Sequence, residues 1–458
     1  MPYKISTEGP ALAVGDVNGD GLQDVYLGGA KSFPGRLFIQ TKEGFSLMDT
    51  PDFIADRNSE DVDAQFYDLD GDGNLDLFVV SAGGEFYKQS PELKDRIYFN
   101  DGKGHFTKKE QAVPNFIENG SVARMADYDN DGDLDIFVAG RAVPNRFGEI
   151  PDSYLLENDG HGNFSISNQP ALKNAGMVTD AVWTDFNGDK TIDLILVGEW
   201  MSPQFFINKN GSFTNVTEKY LPESIKGLWR TIQPADVNSD GKMDYLIGNW
   251  GLNSKFHASK KFPLKMYVGD FDGKGQVETL IALEKNGKYY PVNTKDEIDS
   301  LMGDKTRKQF PYYRDFAGKT MEQVFGKQVL SKASLLEVNT LASGYLRNDG
   351  EIFTFVPLDD EFQISPVNRF LVDDFNGDGK KDILIAPNFL GVTPYHGRFV
   401  SNTGTVLSGD GRILDGLETG INFSQKEIRR INTITVDKEK YLLAAPNNDS
   451  LLWYKIIK

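Results

Sequence analysis

Asp68-Leu69-Asp70-Gly71-Asp72-Gly73-Asn74-Leu75-Asp76, followed by Leu77-Phe78-Val79-Val80, is the stretch on which the fold turns. Carboxylates stand at positions 1, 3, 5 and 9 of this loop, and glycines at 4 and 6. Glycine allows the positive φ that lets a chain close around a point, and alternate residues then aim inward. The apolar, β-branched run that follows reads as a buried strand.

The pattern recurs, with copies starting at Asp16, Asp127, Asp185, Asp236 and Asp374 and an eroded one at Asp270. An internal repeat decides the architecture before any other signal. Short apolar runs flank each loop, and a second hairpin follows most copies, as in Ile97–Phe106, Tyr154–Phe164 and Phe205–Phe213. Each repeat is therefore four antiparallel strands, the blade of a β-propeller. The reading is an all-β, single-domain, seven-bladed β-propeller over residues 1–458, or eight-bladed if the hairpin around Asp270 begins its own blade. Residues 252–335 are expected to form an insertion in the fifth blade, a hairpin plus a helical stretch from about Thr294 to Gly326. At the end of the chain, Ile431–Val436, Tyr441–Ala445 and Leu451–Ile457 supply three strands and Tyr3–Ile5 a fourth, closing the ring with both termini and leaving no open edge.

The spacing is that of calcium, a hard cation that takes six to eight oxygens in a flexible shell; zinc would want nitrogen or sulfur, and the chain has no cysteine. An EF-hand would end in Glu at position 12, where Leu27 and Val79 stand here. The expected oxygen sets are Asp16, Asn18, Asp20, Leu22 and Asp24; Asp68, Asp70, Asp72, Asn74 and Asp76; Asp127, Asp129, Asp131, Asp133 and Asp135; Asp185, Asn187, Asp189, Thr191 and Asp193; Asp236, Asn238, Asp240, Lys242 and Asp244; and Asp374, Asn376, Asp378, Lys380 and Asp382, the fourth of each set acting through its carbonyl. That makes about six calcium sites, structural in role. Their ligand positions hold 20 acidic side chains, against a net charge of −18 for the chain. In the copy at Asp270, Lys274 takes a ligand position and Glu278 the last one, so no metal is expected there.

The acidity excludes nucleic acid and an anionic membrane surface as partners. No apolar run is long enough to span a bilayer, so no membrane insertion is expected. Met1–Pro10 lacks the apolar core of a signal peptide, and the chain enters its repeat at once. It reads as a domain of a longer multidomain precursor.

At these residues the chain resembles the FG-GAP/VCBS repeat family, whose members include the blades of integrin α-subunit propellers. Gly9–Gly21, Val197–Met201, Gly248–Lys255 and Ala445–Asp449 are further similar to bacterial surface proteins related to cartilage acidic protein, which carry ASPIC/UnbV domains. The resemblance implies secretion or surface anchoring, with adhesion and glycan or protein binding as typical roles.

If the acidic loops join the first and second strands of each blade, the loops joining the second and third strands lie on the other face. That face is rich in charged and aromatic residues, and the ligand is expected there. The candidates are Glu60, Asp61, Glu85, Tyr87, Arg124, Arg141, Asp180, Glu199, Trp200, Trp229, Arg230 and Trp250. Stacking rings with guanidinium and carboxylate groups suit sugars. No nucleophile-elbow, zinc-protease or phosphate-loop motif occurs, which favours a binding protein over an enzyme. The alternatives are a polysaccharide lyase or glycoside hydrolase using His257, Tyr395, His396, Glu85 and Glu199, and a structural spacer of a larger surface protein.

Overall fold

The structure, a computed structural model, describes residue 5 and residues 7–114, 118–375, 377–393 and 396–456. The alternation of short apolar strands with glycine turns folds as the sequence dictates, into eight antiparallel sheets. The chain is a β-propeller. In seven of the sheets the first strand is innermost: Leu12–Gly15, Glu60–Tyr67, Asn119–Ala126, Met177–Thr184, Thr231–Ala235, Val367–Asp373 and Ile428–Val436. Each of these strands touches the next, and the last touches the first, so the contacts make a closed cycle. Between neighbouring sheets lie apolar layers; Ala64, Leu77, Val79 and Tyr98 of the second, for example, pack on Ala11, Tyr26 and Leu37 of the first. The closing seam is of the same kind, with Leu12 and Val25 against Ile434, Leu443 and Ala445.

The seventh sheet has three strands among the described residues. Of the expected fourth strand, Tyr3 and Lys4 lie outside the described residues.

The eighth sheet stands outside the cycle. It forms between the second and third strands of the fifth ring sheet, from Leu264–Gly269, Glu278–Lys285, Lys288–Pro291 and Ser334–Val338. Helices from Lys295–Met302 to Lys327–Leu330 cover one of its faces. Thr294 and Thr320 begin two of them with reciprocal capping boxes to Glu297 and Gln323, satisfying backbone N–H groups that have no partner inside the helix. The helices bury Ile298, Met302, Met321, Val324 and Phe325 on Phe271 and Leu280. They continue past Gly326, and the inserted strand runs to Val338, beyond the boundary at 335 read from sequence. The other face of this sheet, through Met266, Val268 and Ile281, packs on Met177, Trp200, Leu228, Trp250 and Phe389 of the ring. The insertion thus covers the end of the ring where the second-to-third-strand loops emerge.

Candidate functional site

The acidic loops share one internal frame. The first aspartate accepts the N–H of position 6 and, in most copies, of position 4, at 2.9 and 2.8 Å for Asp68 and at 2.8 and 2.7 Å for Asp185, while Asp127 and Asp236 take position 5 with position 6. Residue 5 of each loop accepts the N–H of residue 7, as Asp72 does from Asn74 and Asp240 from Lys242. Where glycine is replaced, the backbone keeps its left-handed turn, with φ of 70° at Lys190 and 60° at Ser239. The last aspartate is buried and accepts an N–H from the third strand of its own sheet, Gln40 to Asp24, Asn100 to Asp76, Asn158 to Asp135, Asn208 to Asp193 and Asn348 to Asp244, or from the turn just after it, Gly409 to Asp382.

The oxygens of Asp68, Asp70 and Asp76 lie within 4.8 Å of one another, as do those of Asp127, Asp129 and Asp135. All the donors in these groups are carboxylate oxygens. This is the set a calcium ion takes, so the residues present fit that ion. Burial pushes the last carboxyl of the loop up, to about 6 at Asp24 and about 7 at Asp76, Asp135 and Asp193, with the neighbouring aspartates adding to the rise and the backbone N–H groups opposing it. A dication would relieve that strain. Asn376 lies outside the described residues.

The loop at Asp270 is less eroded in space than in sequence. Asp270, Asp272 and Glu278 also converge within 4.8 Å, and Glu278 takes the Phe271 N–H at 2.8 Å, as an aspartate does elsewhere. The extra methylene of Glu preserves the frame. Lys274 Nζ lies 2.6 Å from Asp272, placing an ammonium beside the cluster.

The same third-strand residues also link neighbouring sheets. Asn100 Nδ2 donates to Val17 O of the preceding loop at 2.7 Å and to Leu75 O of its own at 3.0 Å. Asn158 joins Leu69 to Leu134, and Asn208 joins Tyr128 to Ile192. Gln40 does the equivalent across the ring closure, reaching Gln23 and Thr435. In the fifth sheet, Asn348 Nδ2 donates to Met243 O of its own loop. In the sixth, the position is glycine.

Around the axis the chain places two layers of charge. Under the insertion, Arg141 pairs with Glu199 at 2.9 Å; Arg230 approaches Glu199 and Glu8 at 3.7 and 3.8 Å; Arg429 approaches Glu8 at 3.4 Å and pairs with Glu427. Burial would raise the Glu8 carboxyl, but Arg429, Arg230 and Arg141 outweigh it and hold it at about 2. Only a void of about 30 Å³ remains here, room for roughly one water.

Below this plug lies a belt. Arg124 bridges Asp63 at 3.0 Å and Asp180; Arg369 lies 3.5 Å from Asp180 and Arg430 3.3 Å from Asp63. Asp63, Asp180, Arg369 and Arg430 are each the first paired residue beyond a β-bulge in the innermost strand. A bulge re-aims side chains, which is how four strands bring these groups to one level. From the belt a cavity of about 650 Å³ follows the innermost strands. Its last lining residues, among them Val14, Tyr67, Met125, Trp183 and Pro234, precede the first aspartates of the acidic loops by one or two positions. The axis is therefore plugged at the insertion and continues toward the acidic loops.

A family model described as the FG-GAP-like repeat matches residues 16–79, 68–138 and 185–247. Three stretches of the propeller are thus FG-GAP-like repeats. The matches take in the loops from Asp16 to Asp236; those at Asp270 and Asp374 lie outside them. Among curated proteins, none matches the sequence. Similar solved structures include Saccharomyces cerevisiae Sqt1, at 8% identity over 100% of this chain and 98% of that one, with a TM-score of 0.47. The V. cholerae biofilm matrix protein Bap1 aligns at 11% identity over 99% and 88% of the two chains, TM-score 0.41. An Agrocybe aegerita lectin that recognises non-reducing terminal N-acetylglucosamine aligns at 15% over 79% and 82%, TM-score 0.35.

Of the ligand residues read from sequence, the propeller brings Arg141, Glu199 and Arg230 together in the plug and Arg124 and Asp180 in the belt. The others are placed differently. Trp200 and Trp250 are buried beneath the inserted sheet, and Trp229 lies between the fourth and fifth sheets with Nε1 donating to Met201 O. Asp61 is taken by Arg96, Tyr26 and the Gly29 N–H. Glu60 is buried, and its carboxyl is pushed up to about 8 by burial, then by Glu85, Glu8 and Asp61, against the pull of Arg429. Glu85 and Tyr87 are exposed on the rim. The inserted sheet packs over part of the expected face, at Trp200 and Trp250. Of the residues cast for catalysis, His257 is exposed, His396 packs on Phe256 and burial holds it at about 4, and Tyr395 lies outside the described residues.

Sequence reasoning missed Glu8, Asp63, Arg369, Glu427, Arg429 and Arg430. One signal was available for three of the belt groups: Asp63, Asp180 and Arg369 each stand five positions ahead of a loop aspartate, at Asp68, Asp185 and Asp374.

Proposed function

We propose that this chain is an extracellular, calcium-stabilised binding or adhesion module that holds a glycan or protein ligand at the propeller axis, on the acidic-loop side. The observation that carries this reading is the axial cavity of about 650 Å³, within the range of ligand sites. The oxygen-only loops beside it support calcium, which would hold the strand ends that form the cavity wall. External calcium, near millimolar, suits the weak sites of extracellular modules. Among the described residues, no helix is long and apolar enough to cross a membrane. A longer surface protein of the ASPIC/UnbV type would present such a module to partners.

The test is a glycan array and a panel of surface proteins, probed in CaCl2 with the native chain and with Gln233→Trp, which fills the cavity. Binding by the native chain that the substitution abolishes is the expected result. Absence of any ligand, or binding indifferent to the substitution, would leave a spacer role instead.

A further inference from the structure

The axial cavity has a chemical polarity that goes beyond its size. At its inner end stand three guanidinium groups and two carboxylates, so the belt carries one formal positive charge in a chain whose net charge is −18. The groups are not equally accessible. The side chains of Arg124, Arg369 and Arg430 are 23%, 15% and 12% exposed, whereas those of Asp63 and Asp180 are 4% and 2% exposed. Asp63 and Asp180 also line the cavity, but they expose far less of their side chains to it than the arginines do.

Arg369 gives Nη1 to the carbonyls of Arg230 and Asn368, at 3.1 and 3.0 Å. A guanidinium has five N–H donors, and among the described residues the hydrogen bonds of Arg369 use Nη1 alone. Surplus charge is also felt at Arg430, which burial and then Arg369 draw down to about 9, against the pull of Asp63.

Further out the walls change character. Trp183 and Tyr67 are partly exposed and line the cavity, with the side-chain amides of Gln65, Gln233 and Asn432 between them. Aromatic faces take the apolar face of a sugar ring, and amides serve its hydroxyls. The order from inner end to mouth is thus anion acceptor, then ring platform and hydroxyl partners.

We propose that the axial cavity takes a uronic-acid saccharide, its carboxylate set on Arg369, Arg430 and Arg124 and its ring against Trp183 and Tyr67. The assignment rests on the axial binding reading above and narrows it to one ligand class. A carboxylate matches the fork of a guanidinium and neutralises a single surplus charge. A neutral sugar would leave that charge unmet in a half-buried place, and a dianionic phosphate would exceed it.

Titration calorimetry in CaCl2 with digalacturonate, its dimethyl ester and neutral digalactose tests this. The acid should bind at least about tenfold more tightly than the ester or the neutral sugar, a difference of about 1.4 kcal/mol. Arg369→Gln should remove that preference while leaving the ester unaffected. Tyr67→Ala, at a partly exposed position, should weaken all three by about three- to tenfold. If Arg369→Gln fails to fold by circular dichroism, Arg369→Lys, which keeps the charge and loses the fork, should lower acid affinity and carries the test with Tyr67→Ala. Equal affinity for acid and ester, no acid binding at millimolar concentration, or acid binding indifferent to these substitutions would overturn the assignment. A neutral glycan or protein whose binding Gln233→Trp abolishes would overturn it while the axial binding reading stands; no ligand of any kind would overturn both.

Discussion

At the capped end of the axis, Arg141, Arg230 and Arg429 meet Glu8, Glu199 and Glu427 with almost no solvent; at the open end, Arg124, Arg369 and Arg430 meet only Asp63 and Asp180 and reach a cavity. Three charges against three suit a closed layer, since a buried ion without a partner costs several kcal/mol. Three against two can stand where water, or a ligand, supplies the missing anion. Two layers of similar composition therefore do different work, and the covering sheet decides which does which.

Calcium removal should give the largest change, because six acidic loops, from Asp16 to Asp374, hold the strand ends at the open end. With about 1 mM free calcium and affinities of roughly 0.1–1 mM, each loop contributes about 0.4–1.4 kcal/mol. EGTA should therefore lower the melting temperature markedly at pH 8. Without metal, Asp24, Asp76, Asp135 and Asp193 titrate at about 6 to 7 in the folded chain, above the unfolded value of about 3.9. The folded apo form then binds the extra protons and gains stability as pH falls from 8 to 6, while the calcium form does not. The gap between the two melting curves should narrow over that interval, and a constant gap would count against the loops as calcium sites.

Glu199→Leu would break the closed layer, leaving Arg141 and Arg230 short of a partner, at a cost of about 3–5 kcal/mol in urea unfolding. Asp63→Asn at the open end should cost less, about 1–2 kcal/mol, because Arg124 and Arg430 keep contact with the cavity. If the two costs were equal, the two ends would not differ as described. The dependence on pH singles out Glu60. Its folded carboxyl lies at about 8, above the unfolded value, so stability is lost as pH rises from about 5 through 8. In saturating calcium the melting temperature should fall by about 2 °C or more over that span, and Glu60→Gln should flatten the slope.

The repeat, the paired strands and the loop frame were legible because each is local: Asp at alternate positions, Gly where φ is positive, and β-branched runs beside them. The ligand face was not, since Trp200 and Trp250 look like rim aromatics until the sheet from Leu264 to Val338 is laid over them. The belt was hidden for another reason. Strand alternation alone misplaces Asp63, Asp180, Arg369 and Arg430, because each follows a bulge that shifts the side-chain phase. Glu278 misled in the opposite direction, since a longer side chain can keep a geometry that its change of identity seems to abandon.

The asparagine and glutamine links give the ring a clasp and a seam. They fasten the seventh sheet to the first and continue through the fourth, then stop: Asn348 holds only its own loop, and Gly409 has no side chain to offer. The arc from the fourth to the sixth sheet is thus where amide hydrogens should exchange first and where the circle should part under load. It is also where the insertion enters, in the fifth sheet. The clasps lie at the acidic-loop end and the cap at the other, so the same arc is left unfastened at one end of the axis and covered at the opposite one.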